Sequence, residues 1–203
     1  EGIDGVPFNP AAYAVRNARE HHFFEWELSP SISFGTSDND VFNSGQGGLA
    51  VSSQLSLDVG LRLQFGPVGI GGYIHVETYN AEIDGRSVSV FATRSHVGGG
   101  WALMNGELVI GAGLRTLQAS LSAATEMGDT LTLDLFSFVG FGVEVGAIYM
   151  PADRPYRVGA AIATPVHSQV DPDASTMGGT QPQVPRPSGF HNPFELRLGA
   201  AYQ

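Results

Sequence analysis

Charged side chains that could bind a ligand recur at every second position of several long apolar stretches. In an extended strand such positions lie on one face, so these charges would line one side of a sheet. The arginines among them suit a carboxylate ligand, because the guanidinium donors form a planar fork. The alternative role is a set of cross-strand ion pairs that only fill an interior. The set comprises Asp58, Arg62, His75, Glu77, Arg94, His96, Glu144, Arg157, Glu195 and Arg197.

Arg94 and His96 are the first candidates for contact with the head group of a substrate. Gly98, Gly99 and Gly100 follow them in the chain and would leave space beside the two side chains. Glycine in a strand also marks a kink or a close backbone approach. The run therefore predicts a kink that could open a lateral gap in the wall of strands. Further candidates for substrate binding on the same predicted face are Arg62, His75 and Glu77.

Metal and catalytic signals are weak. His21 and His22 are adjacent, so in a strand they would point to opposite faces and could not share one ion with Glu25. The acidic runs at residues 38–40 and 171–173 lack the loop of an EF-hand, so we interpret them as polar turns, with Ca²⁺ bridging between loops as the alternative. No nucleophile elbow, zinc-protease motif or triad spacing occurs. The sequence predicts no metal site, no catalytic residue, no cofactor and no enzyme.

The stretch at residues 51–65 shows the alternation most clearly. Its apolar parity consists of Val51, Leu55, Leu57, Val59, Leu61, Leu63 and Phe65. Asp58 and Arg62 fall on the other parity. The stretch is long for a strand of a soluble domain, where about 5–6 residues are typical. It is long enough to cross a bilayer as a tilted barrel strand, which needs about 9–11 residues. An apolar outside and a polar inside are therefore predicted.

The same pattern predicts eight strands, at residues 22–35, 49–65, 68–83, 87–103, 107–122, 130–150, 156–166 and 193–202. The apolar parity changes between Leu114 and Leu117, which predicts a bulge near Arg115. Short connections alternate with longer ones, the longest at residues 36–48 and 167–192, and this asymmetry is typical of outer-membrane barrels. The expected fold is all-β, a transmembrane antiparallel up-and-down β-barrel over residues 21–203.

Composition excludes several classes of partner and site. The chain has 203 residues and a net charge of −10, and its ten basic residues are all arginine, so no basic stripe favours nucleic acid. The absence of cysteine removes disulfides, thiol catalysis and cysteine-bound zinc. No apolar run is long enough for a membrane-spanning helix. A membrane-spanning β-strand would not be detected in this way, because its alternating polar and apolar residues give a low average hydropathy over any window.

Residues 1–20 differ from the rest, with two prolines and no clean alternation. We predict a short helix over residues 10–18, with Asn9 as its N-cap and Pro10 at its first position. A plain helix start is one role for this segment. A barrel of only eight strands has a lumen just wide enough for its own side chains, so packing such a segment inside would need more strands.

The run VPFNPAAYA at residues 6–14 resembles the Asn-Pro-Ala segment near the start of FadL-type outer-membrane barrels, the long-chain fatty-acid transporter family. The stretches FFEWELSPSISFG, VEVGAIYMPADRPYRVGAAIATPV and PFELRLGAAY are also similar to that family. The resemblance implies that residues 1–20 form a hatch inside the lumen, in which Asn9, Pro10 and Ala11 move when ligand binds. Family members are considerably longer and have more strands, so we expect a fragment or a partly traced chain.

The resemblance also implies a function. It is passive uptake of hydrophobic small molecules, such as fatty acids, across the outer membrane of a Gram-negative bacterium. The expected partners are the hydrophobic substrate, the lipid bilayer and lipopolysaccharide, without nucleic acid. Two alternatives stay open. One is a structural or adhesive outer-membrane barrel whose loops bind a partner, and the other is a soluble β-sandwich that binds a ligand.

Overall fold

The structure, a computed structural model, describes residues 2–16, 23–38, 51–83, 86–124, 132–169 and 189–202. Within these residues the chain is all-β, and its antiparallel sheet forms a curled half-barrel. The strands are β1 (Phe24–Asp38), β2 (Val51–Phe65), β3 (Val68–Ile83), β4 (Arg86–Leu103), β5 (Leu108–Ala124), β6 (Thr132–Tyr149), β7 (Tyr156–Ala163), β8 (Val166–Gln169), β9 (Gly189–Asn192) and β10 (Glu195–Tyr202). The predicted all-β class and up-and-down order are confirmed.

Strand order follows chain order from β1 to β7, and β10 then pairs with β7. Each described hairpin is in register over most of its length, as between Phe65 and Val68, which flank the tight turn at Gly66 and Pro67. The two outermost strands, β1 and β10, each pair with one neighbour in the described sheet. The sheet is therefore open between β1 and β10.

Eight strands are predicted, whereas the described residues form ten, because β8 and β9 pair with each other at the two ends of the segment predicted as a loop. Two other predicted strand features also differ from the structure. The predicted strand over 156–166 is interrupted, because Thr164 and Pro165 separate β7 from β8, and both parts pair with β6. Proline has no N–H to give to a ladder, which explains the break. The predicted bulge near Arg115 is wrong, since the register shift lies between Leu121 and Ser122. Leu117 is instead an apolar side chain on the inner face, where it lines a cavity.

The two faces of the sheet differ sharply in polarity. Large apolar side chains on the outer face are exposed, as at Trp26 (65%) and Leu198 (76%). On the inner face, the buried strand residues include Arg62, His96 and Glu144. This distribution is the reverse of a water-soluble protein, in which exposed apolar surface is scattered and charges are rarely buried. The alternation read from the sequence is therefore present in three dimensions.

An N-terminal segment, defined here as residues 2–16, lies on the inner face. It contains two 3₁₀ turns, Gly2–Gly5 and Pro10–Ala14, and it contacts strands β1 to β6. Apolar residues of the segment form the small cores between it and the sheet, for example Ile3, Val6 and Tyr13. Since one short segment touches six neighbouring strands, the sheet must curl around it.

The predicted helix over 10–18 is wrong in type and length within the described residues, although its N-cap is confirmed. The Asn9 side chain accepts a hydrogen bond from the backbone N–H of Ala11, and Pro10 is the first residue of the turn. The helix ends at Ala14, and Val15 is extended. The carbonyls of Ala14 and Val15 accept hydrogen bonds from side chains of the sheet, which replace the partners that a longer helix would supply.

Among the described residues, no helix is long and apolar enough to span a membrane.

Candidate functional site

A row of glycines crosses the inner face at right angles to the strands and lies beneath the N-terminal segment. Cross-strand pairing aligns Gly69, Gly100, Gly111 and Gly146 on β3, β4, β5 and β6. The pairing extends the row to Gln64 on β2 at one end, and through Ala161 on β7 to Arg197 on β10 at the other. We call this set the glycine row. Because the four glycines have no side chains, they leave a shallow trough across the inner face of the sheet.

The backbone of the segment fills this trough in direct contact with the glycines. A Cβ added at Gly69 would overlap the Tyr13 carbonyl, and one at Gly111 would overlap the backbone of Pro10. At Gly100 it would lie 3.1 Å from the Cβ of Ala14. Larger residues on this row would therefore lift the segment off the sheet.

The side chain of Asn9 fixes the N-terminal segment to strands β6 and β7. Its Nδ2 donates to the carbonyls of Ala147 and Ala160, both at 3.1 Å, and its Oδ1 accepts from the N–H of Ala11 at 2.9 Å. The side chain lies directly against Gly146, where any Cβ would displace it. One asparagine thus caps the 3₁₀ turn and binds β6 and β7 together, which requires both the donors and the acceptor of an amide.

Both ends of the segment are held from β1 and β2, whereas Asn9 holds its middle. Arg62, which is 4% exposed, donates to the Val15 carbonyl and forms a 3.0 Å ion pair with Glu27. Glu27 in turn accepts from the N–H of Ile3 at 3.2 Å. Gln64 donates to the Ala14 carbonyl at 3.3 Å. These bonds satisfy backbone groups that regular structure leaves unpaired, so the segment is anchored at both ends.

A buried polar network adjoins the segment on the β4–β6 side. His96 Nδ1 lies 2.9 Å from Glu144 Oε1, and Glu144 is 2% exposed. Arg115 donates to Glu195 at 2.5 Å and to the Thr164 carbonyl at 2.6 Å. That carbonyl belongs to the break between β7 and β8, so Arg115 stabilises the interruption from inside. These contacts bring together residues of β4, β5, β6 and β10 and the break between β7 and β8 on the inner face of the sheet.

Arg197 connects this network to the segment. Its guanidinium donates to Glu195 and, from Nη1, to the Pro7 carbonyl at 2.7 Å. The same Nη1 lies 3.6 Å from Glu144 Oε2, an oxygen without a hydrogen-bond partner among the described residues. Arg197 is therefore shared between the sheet and the segment.

Two cavities flank the segment. A polar cavity of about 550 Å³ is lined by charged and polar side chains that include Asp58, His75, Arg94, His96, Arg115 and Arg197. An apolar cavity of about 620 Å³, open around the free edge of β10, lies against Ala12, Val15, Ile148 and Met150 on the inner side and against Leu196 and Leu198 of the outer face, and Arg157 also lines it. Phe8 and Arg197 line both cavities. They form the boundary between the two.

A second group of hydrogen-bonded polar side chains lies on β2 and β3, beside the polar cavity. Asp58 accepts a hydrogen bond from the Tyr73 hydroxyl at 2.5 Å and lies 2.7 Å from His75 Nδ1. His75 Nε2 is 3.7 Å from Glu77, which accepts from Gln54 at 2.6 Å. The carboxylates of Asp58 and Glu77 on the inner face therefore both have hydrogen-bond partners.

The predicted ligand residues fall into two groups. Arg94 is exposed, lines the polar cavity and forms no ion pair among the described residues, so it can receive a ligand. His75 lines the same cavity but contacts Asp58. His96 and Arg62 are buried and bound to protein partners, and Glu77 pairs with Gln54. Of the five candidates, Arg94 is the one with free donors.

The glycines proposed as a wall kink pair regularly with both neighbouring strands. Gly98 pairs with Gly71 and Gly113, and Gly100 belongs to the glycine row. Gly99 pairs in the same unbroken register, so no gap between strands is seen at these residues. A lateral gap in the wall at these glycines stays a prediction.

Tyr13 illustrates how closely the segment is held. Its side chain is fully buried, with ring carbon Cε1 close to Gly71. Burial raises the pKa of the Tyr13 phenol far above its ordinary value, and the negative charge of Glu144 adds to the shift. The phenol is therefore neutral, and the segment introduces no ionised tyrosinate into the lumen.

Residues that sequence reasoning missed include the glycine row, Arg115 and Thr164. The sequence singles out Gly100 as part of the run at residues 98–100, but its alignment with Gly69, Gly111 and Gly146 is known only once the register of four strands is known. The turn at Gly66 and Pro67 carries part of that information, because it sets which residues of β2 and β3 are opposite.

No cluster of three or more His, Asp or Glu side chains with metal-binding geometry occurs among the described residues. His21, His22 and residues 39–40 and 171–173 lie outside the described residues. Hatch residues 17–20 also lie outside them.

Comparison of the chain with models of protein families, with curated proteins and with solved structures finds no match. The resemblance to FadL-type barrels thus stays a prediction carried by the residues quoted for it.

Proposed function

We propose that the chain forms the wall and the N-terminal hatch of an outer-membrane β-barrel channel that takes up hydrophobic small molecules, such as fatty acids, by passive diffusion. The observation that carries the proposal is the reversed polarity of the sheet. Exposed apolar side chains cover the outer face, and charged side chains are buried on the inner face under a packed segment.

A hydrocarbon environment explains the outer face. Contiguous exposed apolar surface of this extent marks a region that is covered by something other than water. Strands of 15 to 18 residues, as in β1 to β6, exceed what a bilayer crossing requires. In hydrocarbon, the free edges of β1 and β10 would leave backbone groups unpaired, so the proposal requires further strands that join these edges.

The two cavities suit an amphipathic molecule. Three arginines line the polar cavity, Arg94, Arg115 and Arg197, against two carboxylates, Asp58 and Glu195. Of these arginines, Arg94 forms no ion pair among the described residues, so it offers an unpaired positive charge to an anionic head group. The apolar cavity would accept the hydrocarbon part.

The proposed transport has three steps. The substrate enters from the loops and reaches the polar cavity, where Arg94 binds its head group. The N-terminal segment then shifts locally, which connects the polar cavity to the apolar one. The molecule then leaves by diffusion. No nucleotide or redox cofactor takes part.

The alternatives are less well supported. The described strands form one continuous sheet rather than two sheets packed face to face, so they do not favour a soluble β-sandwich. A structural or adhesive barrel would carry its function in the segments predicted from the sequence as loops, residues 36–48 and 167–192, whose ends the structure assigns to β1, β8 and β9. It would not need two lined cavities separated by a small segment.

The test is uptake of a labelled fatty acid by liposomes that contain the purified intact protein. We expect uptake above that of empty liposomes, and a marked decrease for Arg94→Gln. Arg154→Gln is the matched control, because Arg154 is exposed in the turn after β6 and pairs with the neighbouring Asp153. Uptake no greater than in empty liposomes would refute the transport function, while a wild-type rate in Arg94→Gln would refute the role of Arg94.

A further inference from the structure

We propose that Arg197 is the latch of the lumen. It holds residues 7–8 across the boundary between the polar and apolar cavities, and it releases them when a carboxylate occupies the polar cavity. The inference rests on the proposed function and deepens it, because it assigns the coupling between ligand binding and segment movement to one side chain.

The position of Arg197 is the first argument. It stands at the end of the glycine row and, with Phe8, is one of the two described residues that line both cavities. Phe8 is 70% exposed, so packing does not hold it in place. Asn9 and Arg62 hold other parts of the N-terminal segment. At the boundary between the two cavities, the segment is held by the hydrogen bond from Arg197 to the Pro7 carbonyl.

The hydrogen bonds of Arg197 supply the second argument. Nη1 donates to the Pro7 carbonyl at 2.7 Å and lies 3.6 Å from Glu144 Oε2, which has no hydrogen-bond partner among the described residues. A small movement of Nη1 would therefore bring it within hydrogen-bond distance of a second acceptor, Glu144 Oε2. After release of Pro7 each guanidinium nitrogen still has an acceptor nearby, because Nε and Nη2 remain on Glu195 and Nη1 can move to Glu144.

Ligand chemistry supplies the trigger. A carboxylate bound by the free Arg94 would lie in the cavity that Arg115 and Arg197 also line. A negative charge there attracts the Arg197 guanidinium more strongly than a neutral carbonyl does, since charge-assisted hydrogen bonds are about twice as strong as neutral ones. A neutral molecule of the same length has no such effect. The latch therefore distinguishes a carboxylate from an alcohol.

The experiment uses a spin label at position 8, introduced as Phe8→Cys in a chain that has no cysteine of its own. Mobility of the label is measured in vesicles without ligand, with dodecanoate and with dodecanol. In the wild-type background we expect dodecanoate to mobilise the label and dodecanol to leave it unchanged. In Arg197→Gln we expect a mobile label before any ligand, with the mobile population raised about tenfold or more.

Two further variants keep the test sharp. Arg197→Lys keeps the charge but not the fork, so we expect an intermediate mobility that still responds to dodecanoate. Arg154→Gln should match the wild type. An immobile label in Arg197→Gln, or an equal response to dodecanoate in Arg197→Gln and wild type, would overturn the latch.

Fatty-acid uptake is measured in the same vesicles, which separates the two proposals. Uptake by the wild type together with an unchanged label in Arg197→Gln overturns the latch alone. Absence of uptake by the wild type overturns the proposed transport function, whatever the label shows.

Discussion

Replacement of Asn9 by alanine should free the N-terminal segment from the sheet. The change removes two hydrogen bonds to the carbonyls of Ala147 and Ala160 and the cap on Ala11. Loss of an N-cap costs about 1 kcal/mol, and each of the other two bonds is worth about 1 kcal/mol. The free energy of docking should therefore fall by about 3 kcal/mol, which raises the undocked population about 100-fold.

The assay uses a cysteine introduced by Val6→Cys, at a position that is fully buried between the segment and the sheet. The rate at which a water-soluble maleimide labels this thiol reports the undocked population when docking is fast relative to labelling. We expect Asn9→Ala to accelerate labelling by about two orders of magnitude. Asn80→Ala, at an exposed asparagine of β3 with one exposed hydrogen bond, is the control and should leave the rate unchanged.

Asn9→Asp separates the two roles of the side chain. It keeps an acceptor for the cap but loses the amide donors and brings a negative charge toward two carbonyls, so labelling should also be fast. A rate within threefold of the parent for both Asn9 variants would refute the docking account. An equal acceleration in Asn80→Ala would show that the assay reports general loosening instead.

Three further predictions follow from the same contacts. Gly111→Ala should expose the thiol at position 6 as Asn9→Ala does, because its Cβ would overlap the segment backbone, while Gly35→Ala, with open space around it, should not; the maleimide rate checks both. Arg62→Gln should lower the unfolding temperature on heat-modifiability gels, because it removes charge-assisted hydrogen bonds to Glu27 and to the Val15 carbonyl at a cost of about 1.5–3 kcal/mol, against at most about 1 kcal/mol for exposed Arg154→Gln. Leu61→Arg should reduce the folded fraction in vesicles, at a cost of about 2–4 kcal/mol near the bilayer midplane, and an unchanged fraction would contradict a lipid-facing position.

Much of the fold could be predicted because local patterns set it. The alternation at residues 51–65 defines β2 to within a few residues, and the turn at Gly66 and Pro67 fixes its pairing with β3. The change of parity at Leu117 misled the prediction, because an apolar residue can face a lumen when a cavity receives it. The break at Thr164 and Pro165 was readable in principle, since proline cannot continue a ladder.

The site could be predicted less well, because its parts come from distant strands. Arg94 and His96 share a face of β4 and look equivalent in the sequence, yet His96 pairs with Glu144 on β6 whereas Arg94 faces the open cavity. The pairing of Arg115 with Glu195 spans 80 residues of sequence. Such partners follow from register across several strands, which single-strand patterns do not contain.

The central claim is that the outer face meets hydrocarbon while the inner face meets water. It is tested most directly by nitroxides placed, one at a time, at Leu57, Leu61 and Val143 on the outer face and at Ser31 and Arg94 on the inner face. Collision rates with oxygen and with a water-soluble nickel complex are measured in vesicles. The account predicts high oxygen and low nickel accessibility at the three outer positions and the opposite at the two inner ones. High nickel accessibility at Leu57, Leu61 and Val143 would contradict it.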